Sequence, residues 1–238
     1  MAKQSGLGVR LYAAGYDLSG DANALGNMGY SQAMLDVTAL NNDATARIAG
    51  LSDGTVSVNG WFEQASDHAV WTSNSGKLPT ADQLVVVGFG TALGDACLGM
   101  KAKQASYNVT RAPGSAIATV AEYQSTAGQQ LDFGVLLTTG PKQTDFTATN
   151  STSVDQTASS SAGAVGYLQA VSIGSGTATV KIQSSTNNST WSDLITFTAV
   201  TAQTSERVAV TGTVNRYVRV ITTGTFTNLV FVAGFARL

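Results

Sequence analysis

Apolar residues in this chain recur at every second position far more often than at helical spacing. Val56, Val58, Gly60 and Phe62 fall on one side of an extended segment, with Thr55, Ser57, Asn59 and Trp61 on the other. The same alternation runs through residues 117–124 and through Leu131, Phe133, Val135 and Leu137. Residues 84–89, LVVVGF, form an unbroken apolar run between turn residues, which predicts a strand buried on both faces. Residues 9–13, 31–38 and 96–109 read as further strands, so residues 1–141 hold about seven.

One segment departs from this period. Ala44, Ile48 and Leu51 stand at i, i+4 and i+7, an apolar stripe on about two helical turns. Asn41, Asn42 and Asp43 can cap its start, Gly50 can end it, and Asp53-Gly54 can make the turn into the next strand. The pattern predicts one short helix, which must pack on a sheet because two turns are not stable alone. Residues 1–8 read as a flexible arm, residues 22–30 as a Gly- and Asn-rich loop, and residues 63–80 as a polar loop containing His68 and Trp71.

From 142 to 163 the sequence turns to Ser, Thr and Asn, which predicts a polar linker with a short strand around Ser153 and Asp155. Alternation restarts at 164. Ala178, Val180 and Ile182 are followed by a hairpin-type turn at Asn187-Asn188-Ser189, then Trp191, then strand-like runs around Val208, Val218 and Phe231. The expected fold is mainly β. A sandwich or barrel with one short helix fills residues 1–141, a linker fills 142–163, and a jelly-roll or immunoglobulin-like sandwich fills 164–238.

The stretch from 35 to 62 carries a resemblance. Asp36-Val37-Thr38, then Arg47, Gly50-Leu51 and Asp53-Gly54 leading into a strand, resemble the tail tube (major tail) proteins of long-tailed bacteriophages. The likeness spans about residues 5–140. It implies a virion protein made in the host cytoplasm, forming hexameric rings stacked into a tube with other tail proteins, through which viral DNA passes without specific binding. On that reading Arg47, Ile48, Leu51, Trp61, His68 and Trp71 are candidate subunit contacts, and residues 164–238 decorate the outside. The phrases TVKIQSSTNNSTWSDL and RYVRVIT are similar to jelly-roll modules appended to phage structural proteins.

Composition agrees with a self-assembling subunit. Only 12% of residues are charged, about half the usual share, so little repulsion keeps copies apart. The net charge of −2 argues against a grip on nucleic acid. Residues 1–141 carry 7 basic and 11 acidic side chains, residues 142–238 6 and 4. No apolar run is long enough to span a membrane, and the first residues lack a signal-peptide core.

Candidate chemistry is sparse. One histidine, His68, and one cysteine, Cys97, leave no catalytic triad and no histidine or thiolate metal cluster. Cys97 reads as a small buried hydrophobe. The Asp- and Gly-rich loop at 15–21 lacks calcium-ligand spacing. Gly88-Phe89-Gly90 does not open a recognisable phosphate loop. Asp36, Glu63, Asp82, Glu122 and Asp132 could supply a glycosidase pair, but the sequence places no two at working distance. No enzyme and no cofactor are expected. Trp191 is a possible contact for a host-surface glycan, with core packing as its alternative. A carbohydrate-binding module or capsid decoration protein is the competing reading of the whole chain.

Overall fold

A computed structural model describes residues 8–63, 78–129 and 131–238. The first half contributes β1 (Arg10–Ala13), β2 (Tyr16–Asp17), β3 (Ala22–Asp36), β4 (Arg47–Trp61), β5 (Gln83–Gly88), β6 (Ala96–Thr110), β7 (Ala118–Ser125) and β8 (Asp132–Leu136). The second contributes β9 (Gln143–Asp145), β10 (Val154–Asp155), β11 (Ala164–Ser172), β12 (Ser175–Ser185), β13 (Ser192–Thr196), β14 (Thr204–Val210), β15 (Tyr217–Thr227) and β16 (Leu229–Arg237). All strand pairs are antiparallel.

Twelve strands share one sheet, ordered β14-β11-β16-β8-β6-β5-β1-β2, with β7 joining β6 to β4 and β4 pairing β3. Four more form a second sheet, β10-β15-β12-β13. The long path curls until its ends meet. There the buried Gln169 side chain accepts from the Gly15 amide at 2.7 Å and donates to the Leu84 carbonyl at 2.8 Å. Gln203 donates to the Gly15 carbonyl at 2.9 Å. Side-chain amides thus close a seam that no backbone ladder closes, satisfying groups that would be costly to bury alone.

Curling places apolar residues on both faces of several strands. Leu11, Val85, Val87, Leu98 and Met100 pack with Val56, Val58 and Tyr123 in one core. Tyr12, Leu84, Val86 and Cys97 face the opposite way, into a middle core with Val165, Tyr167 and Val232. Leu168, Phe231 and Phe235 then meet Ile182 and Val220 of the four-stranded sheet, with Phe197 just beyond β13, in a third core. The continuous apolar run at 84–89 follows from this double burial. Each fully buried Val or Leu contributes about 1.5–3 kcal/mol. Gly99 is required under the Tyr167 ring, where a Cβ would stand 2.5 Å from its carbons.

The strands expected at 84–89, 96–109, 117–124 and 131–137 coincide with β5 to β8 within two residues. The expected helix at 44–51 does not form, and among the described residues there is no helix. Arg47, Ile48 and Leu51 belong to β4, whose ladder sets Ile48 opposite Leu35 and Arg47 opposite Asp36. A two-turn helix must meet its nucleation cost with few hydrogen bonds, whereas extension of β4 pairs a whole strand. Asn41, Asn42 and Asp43 cap nothing and lie in the hairpin tip. Asp53-Gly54 is strand rather than turn. Gly54 pairs with Tyr30, and a Cβ there would come within 2.2 Å of Leu131.

Residues 22–30, expected as a loop, form the first half of β3. Their Gly and Asn serve a bulge instead: Leu25 pairs Val58, Met28 pairs Val56, and Gly26 and Asn27 together stand opposite the single Ser57. Asn27 anchors it, its amide donating to Ser57 Oγ at 3.2 Å and its Nδ2 to Thr55 Oγ1 at 3.1 Å. Residues 142–163 lie along the C-terminal strands, β9 on β16 and β10 on β15. The expected arm at 1–8 falls outside the described residues except for Gly8.

Candidate functional site: the β3–β4 hairpin

The outer half of the β3–β4 pairing stands clear of the cores, whereas its inner half carries the buried Val56 and Val58. β3 and β4, 15 residues each, run as a hairpin whose inner end joins β7 through β4. The tip is held by a short side chain. Thr38 Oγ1 accepts from the Ala46 amide at 2.9 Å, the Val37 amide donates to the Ala46 carbonyl at 2.9 Å, and Asp36 Oδ1 accepts from the Thr38 amide at 2.9 Å and hydroxyl at 2.6 Å. These bonds hold the Asp36 carboxyl below its ordinary pKa. The Asp36-Val37-Thr38 motif therefore closes a turn.

Two features make this hairpin the candidate surface. Among the described residues β3 pairs only with β4, so its outer edge presents unpaired backbone N–H and C=O groups. It carries no charge before Asp36 and no proline, the usual means of blunting an edge. Its outer half also exposes Tyr30, Met34, Leu35, Val37, Ile48 and Leu51, with Leu51 91% accessible and Leu40 at the tip fully so. An apolar cluster of this extent marks a contact surface.

At the hairpin's foot, between β1 and the start of β3, is a cavity of about 510 Å³. Leu11, Leu25, Met28 and Phe89 supply apolar walls, with Arg10 among them. The Arg10 Nε is shut away from solvent without an acceptor among the described residues. Asp17, the acid nearest in sequence, is held by Lys142 at 2.5 Å and Ser19 at 2.5 Å.

The structure brings Arg47, Ile48 and Leu51 together near the tip. It separates Trp61 from them: that side chain, 47% exposed, ends β4 at the opposite end of the hairpin. His68 and Trp71 lie outside the described residues. Trp191 is half-buried before β13, with the Arg219 guanidinium 4.2 Å above its ring. Arg219 in turn donates twice to Gln183 Oε1, at 3.0 and 2.8 Å. One face of Trp191 is therefore covered by a cation–π contact.

Among the carboxylates considered for catalysis, Asp36, Asp82 and Asp132 have structural partners. Asp82 pairs with Lys101 at 3.1 Å and Lys103 at 2.7 Å. Asp132 takes Arg207 at 2.9 Å and the Tyr167 hydroxyl. Burial pushes the Cys97 thiol up to about 12, so it does not ionise as a nucleophile would. Sequence reasoning missed the free edge of β3 because glycine and asparagine masked its first half. The uncharged run from 22 to 35 was the signal that could have found it.

No family model matches this chain, and no curated protein does. Among solved structures it is similar to the Dit protein of SPP1, described as a hub adsorption apparatus of phages infecting Gram-positive hosts. The identity is 12% over 96% of this chain and 99% of that one, at a TM-score of 0.39. It is similar to a chain of the sheath–tube complex of an extracellular contractile injection system, PVC, at 9% identity over 56% of this chain and 92% of that one, TM-score 0.42. A chain of a native gene transfer agent virion matches at 16% identity over 55% of this chain and 98% of that one, TM-score 0.39.

Proposed function

We propose that this protein is a structural subunit of a bacteriophage tail that joins copies of itself through the β3 edge and the β3–β4 hairpin. The observation that carries the reading is the edge of β3, without charge over residues 22–35 and unpaired among the described residues. Such an edge in a soluble protein leads to indiscriminate pairing unless a defined partner covers it. In this reading six copies pair in a ring, which abolishes the free edges, and rings stack into a tube that conducts DNA. Residues 1–141 make the ring wall and residues 164–238 stand outside it. Arg47, Ile48 and Leu51 belong to the contact between copies. The resemblance of residues 35–62 to tail tube proteins and the 12% charge content support the same reading.

Negative-stain electron microscopy of the concentrated protein tests it. Rings or hollow tubes are the expected result. A chain that stays monomeric at high concentration, and that purified tail tips also fail to nucleate, overturns it.

A further inference from the structure

The outer face of the four-stranded sheet holds an arginine without a counter-charge. On β15 Val218 and Val220 point into the core, so Tyr217 and Arg219 lie on the opposite face, which Lys181 and Gln183 of β12 and Asp193 of β13 continue. Lys181 pairs with Asp193 at 2.7 Å, and Arg216 with Asp155 at 2.6 Å. Arg219 meets no carboxylate among the described residues. Its Nε and Nη2 both donate to the neutral Gln183 Oε1, at 3.0 and 2.8 Å, and its guanidinium stands 4.2 Å from the Trp191 ring centre. Gln183 is held in turn, its Nε2 donating to Asp193 Oδ1 at 2.7 Å. The guanidinium is thus fixed in place by neutral partners. Burial lowers its pKa, the mark of a charge partly withdrawn from water without compensation.

We infer that this face binds an acidic saccharide, Arg219 taking its carboxylate or phosphate and Trp191 positioning Arg219. A planar guanidinium already held in one orientation suits either anion and loses little freedom on binding it. With the cation on one face of the indole, the part of Trp191 is to hold Arg219 rather than to carry a sugar ring there. The surroundings select a hydroxylated ligand. Among the described residues, β10, β12, β13 and β15 expose no large apolar side chain, so the apolar centre of a protein–protein interface is missing. A nucleic-acid backbone calls for rows of cations, and here Lys181 and Arg216 are neutralised by their own carboxylates. Asp193, Thr179 and Thr223 offer carboxylate and hydroxyl groups to sugar hydroxyls instead. The inference concerns a different sheet from the β3–β4 hairpin and stands or falls apart from the assembly reading.

Calorimetric titration of the full-length chain with hexagalacturonate, mannopentaose 6-phosphate, neutral maltohexaose and sodium phosphate tests it. One or both acidic saccharides are expected to bind, more weakly as salt is added, and the maltohexaose and phosphate at least about tenfold less tightly. Arg219→Gln is expected to weaken the acidic saccharide by at least about tenfold. Arg219→Lys, which keeps the charge but not the planar fork, should weaken it less. Trp191→Ala is expected to lower the affinity and Trp191→Phe, which keeps a ring against the guanidinium, to recover most of it. Maltohexaose binding as tightly as the acidic saccharides, or no change in Arg219→Gln, would overturn the role of the charge. Phosphate binding as tightly as either saccharide would overturn the saccharide and leave an anion site. Binding of neither acidic saccharide overturns the inference altogether. Should Arg219→Gln fail to fold, the ligand comparison and the salt dependence of the wild type decide.

Discussion

The Tyr167 hydroxyl donates to the Asp132 carboxylate, and Arg207 Nη2 reaches the same oxygen at 2.9 Å. Asp132 belongs to the first half of the chain and Tyr167 to the second, so one hydrogen-bonded cluster fastens β8 to β11 and β14. The Tyr167 ring simultaneously covers Gly99 on β6. Burial and the adjacent carboxylate both push the tyrosine's pKa upward, so its hydroxyl stays a donor.

Removing the carboxylate charge tests how firmly the halves are joined. Asp132 and Arg207 are both largely buried, at 15% and 12% side-chain exposure. Asp132→Ala leaves a buried guanidinium without its counter-charge and is expected to cost about 3–5 kcal/mol. Tyr167→Phe is milder, about 1–3 kcal/mol. Denaturant melts followed by tyrosine fluorescence and by circular dichroism would show both losses.

Acid should loosen the contacts of Asp17 and Asp155. Burial raises the Asp17 carboxyl, but hydrogen bonds from Lys142 and Ser19 outweigh it and hold the pKa below its ordinary value. The Arg216 hydrogen bond holds Asp155 down at about 2. A carboxylate with a depressed folded pKa stabilises the fold above its unfolded pKa, about 3.9. That stability is lost as pH falls through the folded value. The melting temperature is therefore expected to drop between pH 4 and pH 2. Asp155→Asn should flatten the Asp155 share, and carbon-detected NMR titration of the carboxyls would locate each step.

Cys97 offers a probe of native-state opening. It is 2% accessible, and burial pushes its thiol up to about 12. Iodoacetamide at pH 8 is expected to label it only when the middle core opens, at least a hundredfold more slowly than in urea-unfolded chain. Comparable rates in the two states would show that this core is not closed.

The proposed contact residues near the hairpin tip should separate assembly from folding. Arg47→Asp and Leu51→Ser both alter exposed positions of β4, where substitutions usually change stability by no more than about 0.5 kcal/mol. Both are expected to melt like the wild type while forming fewer rings or tubes in sedimentation and microscopy. Normal polymerisation of both would remove this end of the hairpin from the interface.

Strand periodicity was legible along most of the chain because burial on one or both faces writes itself into alternation or an apolar run. That reasoning located β5 through β8 closely. It failed where pattern and partner disagree. Ala44, Ile48 and Leu51 match a helical stripe, yet they face no core, since Leu51 is 91% exposed. Apolar residues that pack on no core carry no period that marks their fold.

The sequence by itself determined that this is a β protein of low charge, with strands buried on both faces and too few histidines and cysteines for most site chemistry. Local alternation, composition and turn residues suffice for those conclusions. Only the tertiary structure decided which strands meet: that β8 and β16 carry one sheet across both halves, that Gln169 closes its seam, and that β3 pairs with β4 alone among the described residues. Pairing between distant strands depends on which faces are already covered. No local pattern encodes that, so the exposed surface emerges only when the cores have closed.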